Sequence, residues 1–131
     1  MTPSDFPTRL GAQGLCVALA VLVLGACGPK APCFLVSGAE AKKLLVPGTV
    51  LLDARPRKES QSSHIDGSIA VPRSEFSYRL TNLDLRSRIV VFAESRDAAY
   101  EAAEELRSRG FTVYELGTVN DWKSTETKCE D

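Results

Sequence analysis

Histidine, clustered cysteine and runs of basic residues are all scarce in this chain of 131 residues. His64 is the only histidine, and the four cysteines are scattered at positions 16, 27, 33 and 129. A metal centre needs several such ligands at close spacing, so the sequence supports neither a metal site nor a cofactor. The 16 basic and 17 acidic residues nearly balance and form no basic stripe, which argues against a nucleic-acid partner.

Long apolar runs are also few, and the one that stands out is near the N-terminus. Leu15–Leu24, LCVALAVLVL, is almost purely apolar but too short to span a bilayer comfortably as a mature helix. It suits the core of a signal peptide, although the segment before it carries only Arg9 as a basic residue. An uncleaved N-terminal anchor is the alternative.

The residues that follow this run, Leu24–Cys27 (LGAC), resemble the lipobox of bacterial lipoproteins. The resemblance implies cleavage before Cys27 and durable membrane anchoring through lipid on its thiol. We therefore expect residues 1–26 to be a lipoprotein signal peptide and 27–33 to be the lipidated cysteine with a Gly/Pro-rich spacer. The domain would then lie in the cell envelope and face the periplasm, and Gly28 favours the outer membrane where the cell has one.

Two cysteines remain in the chain after signal cleavage and lipidation. Cys33 and Cys129 form an even pair at the two ends of the domain, in a compartment expected to be oxidising. A disulfide between them would close a loop of nearly the whole domain, worth about 4–5 kcal/mol in the chain-entropy model. Two free thiols or a reactive dithiol are the alternatives, although nothing near either cysteine supplies a base or a charge that would activate it.

The rest of the chain alternates helical and strand patterns. Ser37–Glu40 has the spacing of a capping box, and the helix that it begins should end at Pro47-Gly48. Ser74 is expected to cap a helical turn, and Asp97 a longer helix that Gly110 ends. Strands are predicted at 49–55 (TVLLDAR), 68–72 (SIAVP), 89–92 (IVVF) and 111–116 (FTVYEL). This alternation predicts a three-layer α/β domain over 34–131, with a mainly parallel central sheet flanked by helices.

Two segments of this domain resemble the signatures of the rhodanese family. Residues 51–72, LLDARPRKESQSSHIDGSIAVP, resemble a strand that ends in Asp-x-Arg, a helical turn, and a His-Ile-x-Gly segment before a strand closed by proline. Residues 89–123 resemble the second strand, the active-site loop, the alanine-rich helix and the closing Gly and Trp. The matching positions are Asp53, Arg55, Glu59, His64, Ile65, Gly67, Ile69, Pro72, Gly117 and Trp122. The resemblance implies a rhodanese-like domain.

The active-site loop is where the chain departs from this family. Rhodaneses carry there a cysteine whose thiolate accepts sulfane sulfur as a persulfide, inside a cradle of backbone N–H groups. The resemblance places that cysteine at Ala93 and the basic residue that closes the loop at Ala98. The whole loop is Ala93, Glu94, Ser95, Arg96, Asp97 and Ala98. An alanine methyl cannot carry sulfur and two carboxylates oppose one cation, so we expect a degenerate site without catalytic residues.

Other reactive side chains have simpler structural interpretations. Ser95 has no neighbouring base and is interpreted as a loop or capping residue. His64 is expected to be a hydrogen-bonded structural histidine. Asp53 and Arg55 are expected to hold loops together through charge-assisted hydrogen bonds. A solvated face of the helix is predicted for Glu101, Glu104, Glu105, Arg107 and Arg109.

The sequence leaves two classes of function open. One is a non-catalytic binding or regulatory module, anchored through Cys27, that binds a protein or a small anion at the loop 93–98. The other is a sulfurtransferase or thiol-redox enzyme in which Cys33 or Cys129 accepts the sulfur. A purely structural role in the envelope cannot be separated from the first class by sequence.

Overall fold

The computed structural model describes residues 34–126, which form an α/β domain. The strands are β1 Thr49–Asp53, β2 Ile69–Ala70, β3 Arg88–Phe92 and β4 Thr112–Gly117. The helices are α1 Gly38–Leu44, α2 Arg57–Ser62, α3 Phe76–Arg79 and α4 Arg96–Ser108, with 3-10 turns at Arg73–Glu75 and Val119–Lys123. The four strands pair in parallel in the order β2-β1-β3-β4. The predicted parallel sheet flanked by helices is confirmed.

Each face of the sheet packs against its own apolar layer. Because neighbouring residues of a strand point to opposite faces, Val91 packs on one side and Phe92 on the other. The first side packs against α4, through Ala102 and Leu106, and the second against α1, through Ala41. Burial on both faces explains why the central strands are continuous apolar runs and do not alternate with polar residues.

The helix ends differ from the prediction at two positions. Ser95, and not Asp97, is the N-cap of α4, because its Oγ accepts the Ala98 N–H at 3.1 Å. Asp97 lies in the first turn of α4, where its negative charge interacts favourably with the positive end of the helix dipole. Ser74 caps no helix, since it lies inside the 3-10 turn that follows Pro72.

Several predicted features lie outside the described residues. These are the signal peptide at 1–26, the lipidation site Cys27 with its spacer, and the cysteine pair of Cys33 and Cys129. The expectations about them therefore stay predictions. Between residues 34 and 126, no helix is long and apolar enough to cross a bilayer.

Candidate functional site

The loop between β3 and α4 lies at the edge of the sheet where the parallel strands end. The Ala93 N–H donates to the Gly117 carbonyl at 2.8 Å, and the Ala54 N–H donates to the Phe92 carbonyl at 2.9 Å. These bonds hold the carboxyl ends of β1, β3 and β4 side by side. Ligands of open α/β sheets bind at this edge, so the loop is the candidate functional site.

An open cleft of about 360 Å³ lies beside Ala93. The Ala93 side chain is only 2% exposed and packs as part of the apolar layer under α4. The lining residues of the cleft come from three segments that follow strands: Arg55, Glu59, Ser63, Ala93, Glu94, Thr118, Val119 and Asn120. The lining of the cleft is therefore mainly polar, with Ala93 and Val119 as its apolar residues.

A buried ion pair forms one wall of the cleft. The Arg55 guanidinium donates to both carboxylate oxygens of Asp53, at 2.9 and 2.7 Å, and to the Ser63 Oγ and carbonyl oxygen at 3.1 and 2.5 Å. The hydrogen bond to Asp53 is the main cause that raises the pKa of Arg55, and the charges of Glu59 and Glu94 add to it. The predicted role of Asp53 and Arg55 in holding loops together agrees with these bonds, because they join β1 to the end of α2.

The other arginine near the loop is also paired with a carboxylate. Arg96 donates to Asp121 Oδ1 at 3.1 Å, while Asp121 Oδ2 accepts the Thr118 N–H and Oγ1–H, each at 2.8 Å. Gly117 makes this arrangement possible, since it has φ +95° and a Cβ there would lie 2.7 Å from Asp121 Oδ2. The Arg96 guanidinium therefore binds the turn after β4.

The N-terminus of α4 uses a side chain of its own loop as its cap. Ser95 occupies one of the first N–H groups through its Oγ, so its hydroxyl is a capping group without a neighbouring base. Glu94 and Asp97 are exposed on either side of it. Two exposed carboxylates therefore lie beside the N-terminus of α4.

His64 differs from its predicted role. Its side chain is 68% exposed, its Nε2 lies 3.6 Å from Asp66 Oδ1, and the described residues give it no hydrogen bond. The prediction of a hydrogen-bonded structural histidine is therefore wrong, because the loop that carries His64 leaves its ring in solvent. Gly67, three residues later, has φ +81° and supplies the turn before β2.

Sequence reasoning missed two carboxylates that organise this part of the fold. Asp121 is buried after β4, and the spacing of Thr118 and Asp121 is a capping-box signal that could have identified it. Buried Glu115 forms an ion pair with Arg107, whose guanidinium lies 2.9 Å from the Glu115 carboxylate. Arg107 also lies 4.6 Å from the Phe34 ring, so it bridges α4 to β4 and is not simply part of a solvated face.

The described residues bring together no group of three or more His, Cys, Asp or Glu side chains that could hold a metal ion. The acidic side chains near the cleft are instead either exposed to solvent or paired with an arginine. Asp53 and Asp121 are buried, and each is bound to a guanidinium.

Comparison with known proteins identifies relatives of this domain. The family model for the rhodanese-like domain matches residues 37–125. The X-ray structure of the rhodanese-like domain of the Alr3790 protein from Anabaena sp. is 31% identical, with a TM-score of 0.56, and the match covers 66% of this chain and 90% of that chain. A crystal structure of the Alr3790 protein is 29% identical, with a TM-score of 0.62, over 71% of this chain and 88% of that chain.

A larger protein contains a domain of the same fold. Reduced CoADR-RHD from Bacillus anthracis is 24% identical with a TM-score of 0.59, and the match covers 69% of this chain. This chain spans only 16% of that protein, so the likeness concerns the fold of one part of it. No curated protein matches the chain significantly.

Proposed function

The chain belongs to the rhodanese-like domain family, and we propose that it is a catalytically degenerate member that serves as a non-catalytic binding or regulatory module anchored to the cell envelope. The observation that carries the proposal is Ala93. It follows the central strand β3 and lines the cleft, at the position that the resemblance of the sequence assigns to the family's sulfur-accepting cysteine.

Sulfur transfer through this loop lacks its acceptor. A thiolate attacks the outer sulfur of thiosulfate, the S–S bond of thiosulfate breaks, and sulfite leaves while a persulfide forms on the protein. The Ala93 methyl has no electron pair for this attack. No cysteine lies between residues 34 and 128 of the sequence, so no neighbour in the domain supplies one.

The charges around the cleft favour a protein partner over a small anion. The cations near the loop, Arg55 and Arg96, already bind Asp53 and Asp121. A bound anion would have to compete with these carboxylates, and it would also approach the exposed carboxylate of Glu94. A protein surface, in contrast, can contribute its own donors to the polar rim of the cleft.

Anchoring in the envelope is proposed from the sequence before the domain. The apolar run Leu15–Leu24 and the lipobox-like LGAC end at Cys27, seven residues before Phe34. Lipid on Cys27 would hold the domain close to a membrane, with the outer membrane favoured where the cell has one. Intact mass of the membrane-extracted chain tests this part, since a lipidated protein must begin at Cys27 and carry the mass of its acyl chains.

Sulfur loading tests the loss of catalysis. The natural chain, an Ala93→Cys/Ala98→Arg variant and an Ala93→Ser control are incubated with thiosulfate and assayed for an added sulfur atom and for thiocyanate formed with cyanide. We expect only the cysteine variant to gain sulfur, because only it restores a thiolate beside the cleft. The serine control has a side chain of similar size without a thiol, so it should remain unloaded.

The same assay tests the alternative function, an enzyme in which Cys33 or Cys129 accepts the sulfur. If the natural chain gains sulfur, the non-catalytic proposal is wrong, and peptide mapping would show whether Cys33 or Cys129 carries it. Cys33→Ser and Cys129→Ser variants then identify the acceptor directly. A failure of the Ala93→Cys variant to load, with its fold intact, would instead contradict the assignment of position 93.

A further inference from the structure

We propose that the end of the domain opposite the cleft is a membrane-docking surface that rests on anionic phospholipid headgroups, an inference that rests on the lipid anchor of the proposed function. This surface is called the basic end. It consists of four cations and two apolar side chains: Lys42, Lys43, Arg86, Arg88, Val46 and Leu85.

Backbone hydrogen bonds bring these residues to one edge of the sheet. The two lysines lie in the last turn of α1, which ends at Leu44 and leads into the turn before β1. The Gly48 carbonyl in that turn accepts the Arg88 N–H at 3.0 Å, and Arg88 pairs with Thr49 at the start of β1. Arg86 lies two residues earlier. The basic end is therefore where β1 and β3 begin, whereas the cleft is where they end.

The cations of the basic end differ from other arginines of the domain, because they have no carboxylate partner within residues 34–126. Arginines that do bind carboxylates elsewhere are Arg55, Arg57, Arg73, Arg79, Arg96, Arg107 and Arg109. Among the described residues, no ion pair involves Lys42, Lys43, Arg86 or Arg88. Lys42 lies 4.9 Å from the Trp122 ring, and the nearby Asp84 carboxylate accepts the backbone N–H of Arg86 at 2.9 Å.

Apolar side chains are exposed between these cations. Val46 is 50% exposed in the turn after α1, and Leu85 is 57% exposed next to Arg86. Exposed aliphatic side chains among lysines and arginines are typical of surfaces that lie in the membrane interface, where the cations meet lipid phosphates and the apolar groups enter the headgroup region.

The first described residues run parallel to β4 where they join the sheet. Leu35 forms a parallel bridge to Glu115, and the Val36 N–H donates to the Glu115 carbonyl at 2.9 Å. Because this segment runs parallel to β4, Phe34 is its residue nearest the edge where the strands begin. From Cys27 to Phe34 the chain can reach at most about 25 Å.

The short tether and the charges act together. Attraction between exposed cations and an anionic surface extends only about 8–10 Å at physiological salt, so a tether that holds the domain within this range strengthens it. Each lysine or arginine near such a surface strengthens binding by about fivefold. With the basic end on the membrane, the cleft beside Ala93 faces away from it and is open to a partner.

Lysine footprinting of the full lipidated chain tests this orientation. The chain is placed in vesicles of phosphatidylcholine alone or with phosphatidylglycerol, and accessible lysines are acylated and quantified by mass spectrometry. Labelling of Lys42 and Lys43 should fall several-fold in the anionic vesicles and recover at high salt. Lys58, an exposed lysine of α2 without an ion-pair partner in the described part of the chain, should label equally in both. Equal labelling of all three lysines in both vesicles would overturn the proposal.

Vesicle co-sedimentation of unlipidated residues 28–131 separates this surface from the anchor. Both apolar layers lie within residues 34–126, so this fragment keeps the whole described core, and circular dichroism of each protein confirms its fold before use. Replacing both lysines in Lys42→Gln/Lys43→Gln should weaken binding to phosphatidylglycerol vesicles about 25-fold, by the same charge rule. Arg86→Gln/Arg88→Gln should act similarly without touching Trp122, and Lys58→Gln should have little effect.

These measurements distinguish the two possible failures. If the mass of the natural chain lacks lipid but the domain binds anionic vesicles through the basic end, the anchor is wrong and the docking surface stands. If the lipid is present but the glutamine variants bind and label like the natural protein, the anchor stands and the docking surface is wrong.

Discussion

The two edges of the sheet use cationic side chains in opposite ways. At the edge where strands end, the guanidinium groups of Arg55 and Arg96 bind buried carboxylates and hold the loops around the cleft. At the edge where strands begin, Lys43 and Arg88 are exposed and have no ion-pair partner among the described residues. A positive charge with a buried partner contributes to the fold, whereas an exposed one without a partner can bind another molecule.

The strongest test of this contrast is to remove the carboxylate of the buried pair. In Asp53→Ala, the Arg55 guanidinium keeps its charge but loses its bidentate partner at a site where it is only 5% exposed. We expect the free energy of unfolding, measured with urea, to fall by about 3–5 kcal/mol. The control Asp66→Ala removes a fully exposed carboxylate and should cost less than about 0.5 kcal/mol. Equal losses would mean that the buried pair does not hold the loops.

A somewhat smaller effect is expected from a single methyl group beside the cleft. Gly117→Ala places a Cβ 2.7 Å from Asp121 Oδ2 at a residue with φ +95°. Backbone strain of about 1–3 kcal/mol should add to displacement of the carboxylate that binds Arg96. Gly48→Ala is a matched control with φ +91° and open space around the Cβ, so it measures the backbone strain alone. No difference between the two variants would show that the Asp121 contact is unimportant.

Acid titration should detect an ion pair near the cleft end of the sheet. The pKa of Glu75 lies below its ordinary value of 4.5, chiefly because Arg57 donates a hydrogen bond to it at 2.5 Å. Since the folded-state pKa is lowered, the stabilisation is present above the unfolded pKa and is lost as pH falls through the folded value. The urea midpoint should therefore decrease on acidification below about pH 5, and less steeply in Glu75→Gln. Identical pH profiles would contradict this contribution.

The smallest effect is expected at the basic end. Lys43→Gln and Arg88→Gln should each change the free energy of unfolding by less than about 0.5 kcal/mol, because neither side chain has an ion-pair partner within residues 34–126. Urea denaturation beside Asp53→Ala gives the comparison directly. A loss of 2 kcal/mol or more, on the order expected for a buried group, would show that these cations support the fold and are not free for lipid.

The helix caps were predictable from the sequence only in part. The capping box of Ser37 and Glu40 was predicted and is present, because it depends on residues three apart along one chain. Thr118 and Asp121 have the same spacing and form a second capping box. The cap of α4 was assigned to Asp97 instead of Ser95, since both residue types favour that position and the helix start differs by only two residues.

By itself, the sequence determined the parallel α/β architecture, the membership of its signatures in one family, and the presence of alanine at position 93 in the loop after β3. These follow from local periodicity and from the identity of single residues. Only the tertiary structure decided that Arg96 binds Asp121, that Arg107 reaches Glu115, and that His64 is left in solvent. Each of these depends on side chains that distant segments bring together, and a linear pattern does not specify such distances.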